Sequence, residues 1–164
     1  MHELHLLRHA KSSWDEPGLP DHERPLAPRG RKAARKLARY LRDEEIRPEL
    51  VLCSSAQRTR DTLERLRSSL GEPAVEVEDR LYGAGRDALL ARLRELPEGV
   101  GTVLLIGHNP GVQELALGLA PSESRLAAKF PTGALASFAL AAPWARLGEA
   151  ETQLTAYVVP RELP

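Results

Sequence analysis

The chain of 164 residues has one cysteine, Cys53, so it can form no internal disulfide and no thiolate zinc cluster. It has no excess of either charge: 23 Lys and Arg face 23 Asp and Glu. A dedicated nucleic-acid binder usually carries a basic surplus, so that class is disfavoured, although a local cationic pocket is not. No apolar run is long enough to span a bilayer. The first apolar stretch meets Arg8 and Lys11 early, which leaves no signal-peptide core. There is no internal repeat and no low-complexity tract. A soluble, cytoplasmic protein is expected, of one domain over residues 1–164, with no nucleic-acid or membrane partner. Nothing in the sequence sets an oligomeric state, and a monomer is plausible.

What is present alternates. Leu4–Leu7 reads as a strand, and Arg29–Arg42 as a helix with Ala34, Leu37, Ala38 and Leu41 on one face. Leu50–Cys53 is a second apolar strand. Ser54-x-x-Gln57 after it has the form of a capping box opening a helix to about Leu70. Val75 and Val77 suggest a third strand, Asp87–Leu96 a helix, and Thr102–Ile106 the strongest strand. Asn109 is expected to cap a further helix with Pro110 in its first position. Leu135–Leu140 and Leu154–Val159 read as closing strands, one of them antiparallel, since no clear helix joins them. Trp14–Pro28 and Leu126–Gly133 read as loops. Strands apolar on both faces, alternating with helices, predict a three-layer α/β/α sandwich around a mostly parallel, mixed sheet of about six strands.

Ligands of such sheets bind beyond the carboxyl ends of the strands. Arg8-His9 follows the first strand, Ser54–Arg58 the second, and Gly107-His108-Asn109 the strongest. If these strands are parallel neighbours, two arginines, two histidines and two helix N-termini converge, a combination suited to a phosphoryl group. Each piece alone has a bland reading: a strand-end dipeptide, a solvated first-turn arginine, a polar turn. Three such placements together favour a common site. His2, His5 and His22 receive no role, and His5 reads as a hydrogen-bonded sheet residue.

Arg-His at the end of the first strand, Ser54-Ser55-x-x-Arg58 and the later Gly107-His108-Asn109 resemble the histidine phosphatase, or phosphoglycerate mutase-like, superfamily. Within it, Leu6–Trp14, Asp21–Leu26, Arg29-Gly30, Gly107–Gly111 and Phe130–Gly133 are similar to the SixA-type phosphohistidine phosphatases. The resemblance runs over most of the chain. It implies that His9 is a nucleophile that becomes transiently phosphorylated. Arg8, Arg58 and His108 would hold the phosphoryl oxygens, with Asn109 and Ser12 as further phosphate ligands. It implies no cofactor, and no metal-ligand spacing appears. The expected substrate is a phosphohistidine-bearing protein; the alternative is a small phosphorylated metabolite cleaved by a broad phosphomonoesterase of the same fold.

One departure bears on that choice. Many members carry a glutamate general acid where this chain has Leu81-Tyr82-Gly83. No proton donor is assigned, and Glu78, Asp79 and Asp21 are the carboxylates that could reach. Lack of an acid disfavours alkyl esters more than phosphoramidates, whose imidazole leaves readily. The absence of a long lid insertion suits a protein-borne substrate.

Three other readings compete. Cys53 and Arg58 suggest a cysteine phosphatase loop, but the spacing is one residue short and a glycine is missing. Gly107–Gly111 has the outline of a nucleophile elbow with Asn109, no nucleophile, at its centre. A binding module could use the same cationic pocket, but would not need His9. The basic helix Arg31–Arg42 is a candidate partner surface, although a solvated face explains it.

Overall fold

The computed structural model describes residues 1–150 and 152–164. Six strands form one sheet: β1 (His2–Arg8), β2 (Leu50–Ser54), β3 (Ala74–Glu78), β4 (Thr102–Gly107), β5 (Leu135–Leu140) and β6 (Thr152–Val158). Their order is β3-β2-β4-β1-β5-β6. The first four run parallel, whereas β5 is antiparallel to both β1 and β6. The sheet is therefore mixed, with the antiparallel strand where no helix separates two strands in sequence.

Side chains alternate along each strand, so both faces need cover. Leu4, Leu6, Leu52 and Leu105 pack with helices α3 (Arg86–Arg94), α4 (Gly111–Leu119) and α5 (Ser124–Ala128) in one core. Leu7, Val51, Cys53 and Ile106 pack on the other face with α1 (Pro28–Asp43) and α2 (Gln57–Leu66). This is the expected three-layer sandwich. His5 lies in the sheet, its Nδ1 2.7 Å from Ser137 Oγ.

The helix starts differ from expectation. The capping box at Ser54 does not form: α2 begins at Gln57 after Ala56, with no side-chain cap. The Ser54 hydroxyl is drawn instead to His108, 2.8 Å away. Gln57 turns to Asp61, and the helix ends at Leu66 rather than near Leu70. Likewise α4 starts at Gly111 with Pro110 ahead of it, following a cis Asn109–Pro110 bond. Asn109 still accepts a backbone hydrogen bond from Gln113 N–H, at 3.2 Å. The expected loop Leu126–Gly133 begins inside α5.

Two glycines set the rim. A Cβ on Gly30 would lie 2.1 Å from the Lys11 carbonyl oxygen, so α1 can pack against the chain after β1 only with glycine there. Gly133 has φ +79°, and its N–H lies 3.0 Å from the carbonyl oxygen of Arg8 and 2.9 Å from that of His9.

Candidate functional site

Register brings the three strand ends together. In the parallel β1–β4 pair Arg8 faces Gly107, and in β2–β4 Cys53 faces Ile106. The residues that follow, His9, Ser54 and His108, thus emerge side by side. The His9 N–H donates to Gly107 O at 3.1 Å, and the His9 and His108 ring centroids are 5.2 Å apart.

His9 is held in one tautomer. Its Nδ1 lies 2.7 Å from the Ala10 carbonyl oxygen, which can only accept, so Nδ1 carries the proton. Nε2 keeps its lone pair, and Arg58 Nε–H points at it from 3.4 Å. Burial first, then the neighbouring His108, Arg58 and Arg8 charges, push His9 down to about 3 against the raising effect of the Ala10 carbonyl. At neutral pH its imidazole is uncharged, with a free lone pair on Nε2.

Around Nε2 stand groups suited to an anion. Arg8 Nη1–H donates to Phe130 O at 3.0 Å, while its buried Nε has no partner. Burial and the nearby Arg58 lower the Arg8 pKa, a sign of two cations held close together. Arg58 is fixed by Asp21, Nη1 to the backbone oxygen at 2.8 Å and Nη2 to Oδ2 at 3.1 Å. His108 is pushed down to about 4 by burial and then by Arg58. If the Ser54 hydroxyl donates to His108 Nε2, the proton sits on Nδ1, which is buried and unpartnered. Two arginines, a histidine N–H and one nitrogen lone pair can together bind a tetrahedral oxyanion and attack its centre.

Ser12 and Asn109 have other partners. Ser12 Oγ accepts from Arg24 Nη2 at 2.5 Å. Asn109 Nδ2 donates to Phe130 O at 2.9 Å, the oxygen that also receives Arg8, so Asn109 and Arg8 anchor the same loop. The cluster also contains His22 and Tyr82, to which sequence reasoning gives no role. Tyr82, in the segment lacking the glutamate, donates its hydroxyl to Asp21 Oδ2 at 2.5 Å and sets its ring edge-on to His108 and His22. His22 Nε2 lies 2.9 Å from Ser55 Oγ. Of the three carboxylates within possible reach, Asp21 joins the site, while Glu78 is taken by Arg92 and Arg80. The Tyr82 hydrogen bond, followed by Arg24 and Arg58, holds Asp21 well below the usual carboxylate range, so it is ionised. Its side chain is half exposed.

Cys53 is fully buried, and burial pushes its thiol up to about 12. It is a core residue rather than a thiolate nucleophile. Among the described residues no group of three or more His, Cys, Asp or Glu could hold a metal ion, and no helix is long and apolar enough to cross a membrane.

The chain as a whole has known relatives. Residues 4–83 match the histidine phosphatase superfamily (branch 1). The phosphohistidine phosphatase SixA of Escherichia coli K12 is 34% identical over 141 residues, covering 84% of this chain and 85% of that protein. The chain belongs to the histidine phosphatase superfamily. Within it, the chain falls in the SixA-type branch, as a phosphatase. An uncharacterised protein of Mycobacterium tuberculosis H37Rv is 36% identical, over 94% of this chain and all of that one. The structure of the protein histidine phosphatase SixA complexed with tungstate superposes with a TM-score of 0.81 at 29% identity, covering 98% of each chain.

Proposed function

We propose that this protein hydrolyses phosphohistidine on a partner protein in the cytoplasm, through a phospho-His9 intermediate and without a metal ion or cofactor. The observation that carries the reading is the neutral His9 Nε2, fixed by Ala10 and set among Arg8, Arg58 and His108. Nε2 attacks phosphorus in line, a new N–P bond forms, and the substrate N–P bond breaks. The substrate imidazole, protonated on its other ring nitrogen, keeps the bonding electron pair and leaves neutral. Water then attacks phospho-His9, inorganic phosphate departs, and Nε2 regains its lone pair. Arg8, Arg58 and the His108 N–H spread the charge on the three equatorial oxygens. The binding of tungstate, a tetrahedral oxyanion, by the SixA relative supports such a pocket.

The carboxylate of the site bears on the substrate class. Asp21 is ionised and salt-bridged to Arg58, so it cannot donate a proton at neutral pH. An alkoxide leaving group needs one from the site; an imidazole already protonated on its far nitrogen leaves neutral without it. The test is a side-by-side assay of a histidine-phosphorylated protein and a panel of phosphate esters, with His9→Ala as control. Phosphohistidine should turn over far faster, and the variant should be inactive on both. Faster hydrolysis of sugar phosphates would instead identify a small-molecule phosphomonoesterase. Stoichiometric binding without turnover would identify a binding module.

A further inference from the structure

The chain uses its two basic residue types differently. Of its 23 Lys and Arg only four are lysines. All four, Lys11, Lys32, Lys36 and Lys129, line one cavity of about 370 Å³ together with Arg29 and Arg161. Among the described residues no carboxylate lines this cavity, and none of the six forms an ion pair. Carboxylates elsewhere are matched by arginine: Asp21 by Arg24, Glu78 by Arg92, Glu95 by Arg80. Six cations from four chain segments therefore surround a concavity to which the described residues contribute no counter-charge.

The walls are fixed. Lys11 O accepts from Ala27 N–H at 2.9 Å and abuts Gly30. Pro131 and Thr132 precede Gly133, whose N–H is tied to the carbonyls of Arg8 and His9. Pro131, Val159 and Pro160 add an apolar surface. The cavity lies at the same end of the sheet as His9, but Arg8, His9, Arg58 and His108 do not line it.

We propose that this cavity is a second anion site that binds an oligophosphate, either free or as the phosphate tail of a nucleotide. A lysine ammonium is a compact point charge suited to phosphate, whereas planar arginine matches carboxylates two oxygens at a time. A single phosphate carries at most about two negative charges. Six converging cations match a longer phosphate chain, and a volume of this size suits a small molecule. The inference is independent of the reaction at His9.

Calorimetric titration with inorganic tripolyphosphate and with ATP tests it, in wild type, Lys32→Gln/Lys36→Gln and Arg58→Ala. The lysine double variant should bind roughly tenfold more weakly and keep wild-type turnover, while Arg58→Ala should bind as wild type does. Tripolyphosphate should raise the unfolding midpoint of wild type and not of the double variant. Tighter binding of ATP assigns the apolar surface to a nucleoside; equal binding assigns the site to the phosphate chain alone. Binding lost in Arg58→Ala but kept in the double variant overturns the proposal, because the anion then sits at His9. Absence of binding by both probes at low salt overturns it too. So does tighter binding of a hexaglutamate peptide, which would mark a groove for an acidic protein segment.

Discussion

Gly30→Ala tests how the scaffold holds His9. The new methyl carbon would stand 2.1 Å from Lys11 O and 3.0 Å from both Lys11 C and N. The three nearest atoms are all backbone, so no side-chain swing can relieve the closest clash. Restoring ordinary van der Waals contact needs about 1 Å of movement between α1 and the segment after His9. Overpacking of this kind costs typically about 1–3 kcal/mol. The same segment carries the Ala10 carbonyl that holds His9 Nδ1 at 2.7 Å. A misplacement of about 1 Å in a reacting group can cost on the order of 100-fold in rate. Thermal unfolding should show a loss of several degrees, and kcat on a histidine-phosphorylated protein should fall by more than the folded fraction explains. Gly99→Ala, with nothing within 4 Å of its Cβ, is the control. A Gly30→Ala protein with wild-type midpoint and wild-type kcat would refute the close-packing argument.

Asp21→Asn keeps an oxygen for Tyr82 and Arg58 but removes a negative charge beside the cationic cluster. Inorganic phosphate should then inhibit at about fivefold lower concentration while turnover of phosphohistidine persists; a loss beyond about 100-fold would reveal Asp21 as an essential acid. Cys53→Ala should retain full activity at a cost of about 1 kcal/mol in urea unfolding, since Cys53 is core; inactivity in a folded variant would contradict this. Acid should destabilise the fold through the buried histidines. His5 is held at about 4 by burial against an ordinary value near 6.5. Its folded pKa is depressed, so the unfolded state takes up the proton first, and stability is lost as pH falls from about 6.5 towards 4. At pH 5 the loss is about 2 kcal/mol from His5 alone, and urea midpoints of His5→Asn should be correspondingly less pH-dependent. An unchanged pH slope would show that His5 does not set it.

Much of this fold is legible in the chain because β1, β2 and β4 are buried on both faces and so read as unbroken apolar runs. Arg8 and His108 stand out for the same reason, each sitting where such a run stops, and Arg58 stands out at the start of the helix that follows the second run. The failures have a shared cause. Ser54 has the local pattern of a helix cap, but His108, 54 residues away, takes its hydroxyl. Ser12 and Asn109 each also meet a distant partner, Arg24 and the Phe130 carbonyl, that local spacing does not reveal. His22 and Tyr82 lie in polar turns with no periodicity, and enter the site only because the Asp21–Glu23 turn folds over Arg58. Contacts decided by tertiary docking leave no trace in local spacing. The lysine cavity has a partial signal, since Lys32 and Lys36 belong to the basic helix, but Lys129 and Arg161 join it only in three dimensions.

The most direct test of the account is the position of phosphate on the enzyme itself. Wild-type protein mixed with a phosphohistidine substrate, quenched in base within the first turnover and mapped by mass spectrometry and phosphorus NMR, should carry acid-labile phosphate on His9 at Nε2, with none in His9→Ala. Phosphate on Nδ1, on any other residue, or turnover with no phosphoenzyme would contradict the tautomer that the Ala10 carbonyl imposes and the role assigned to His9.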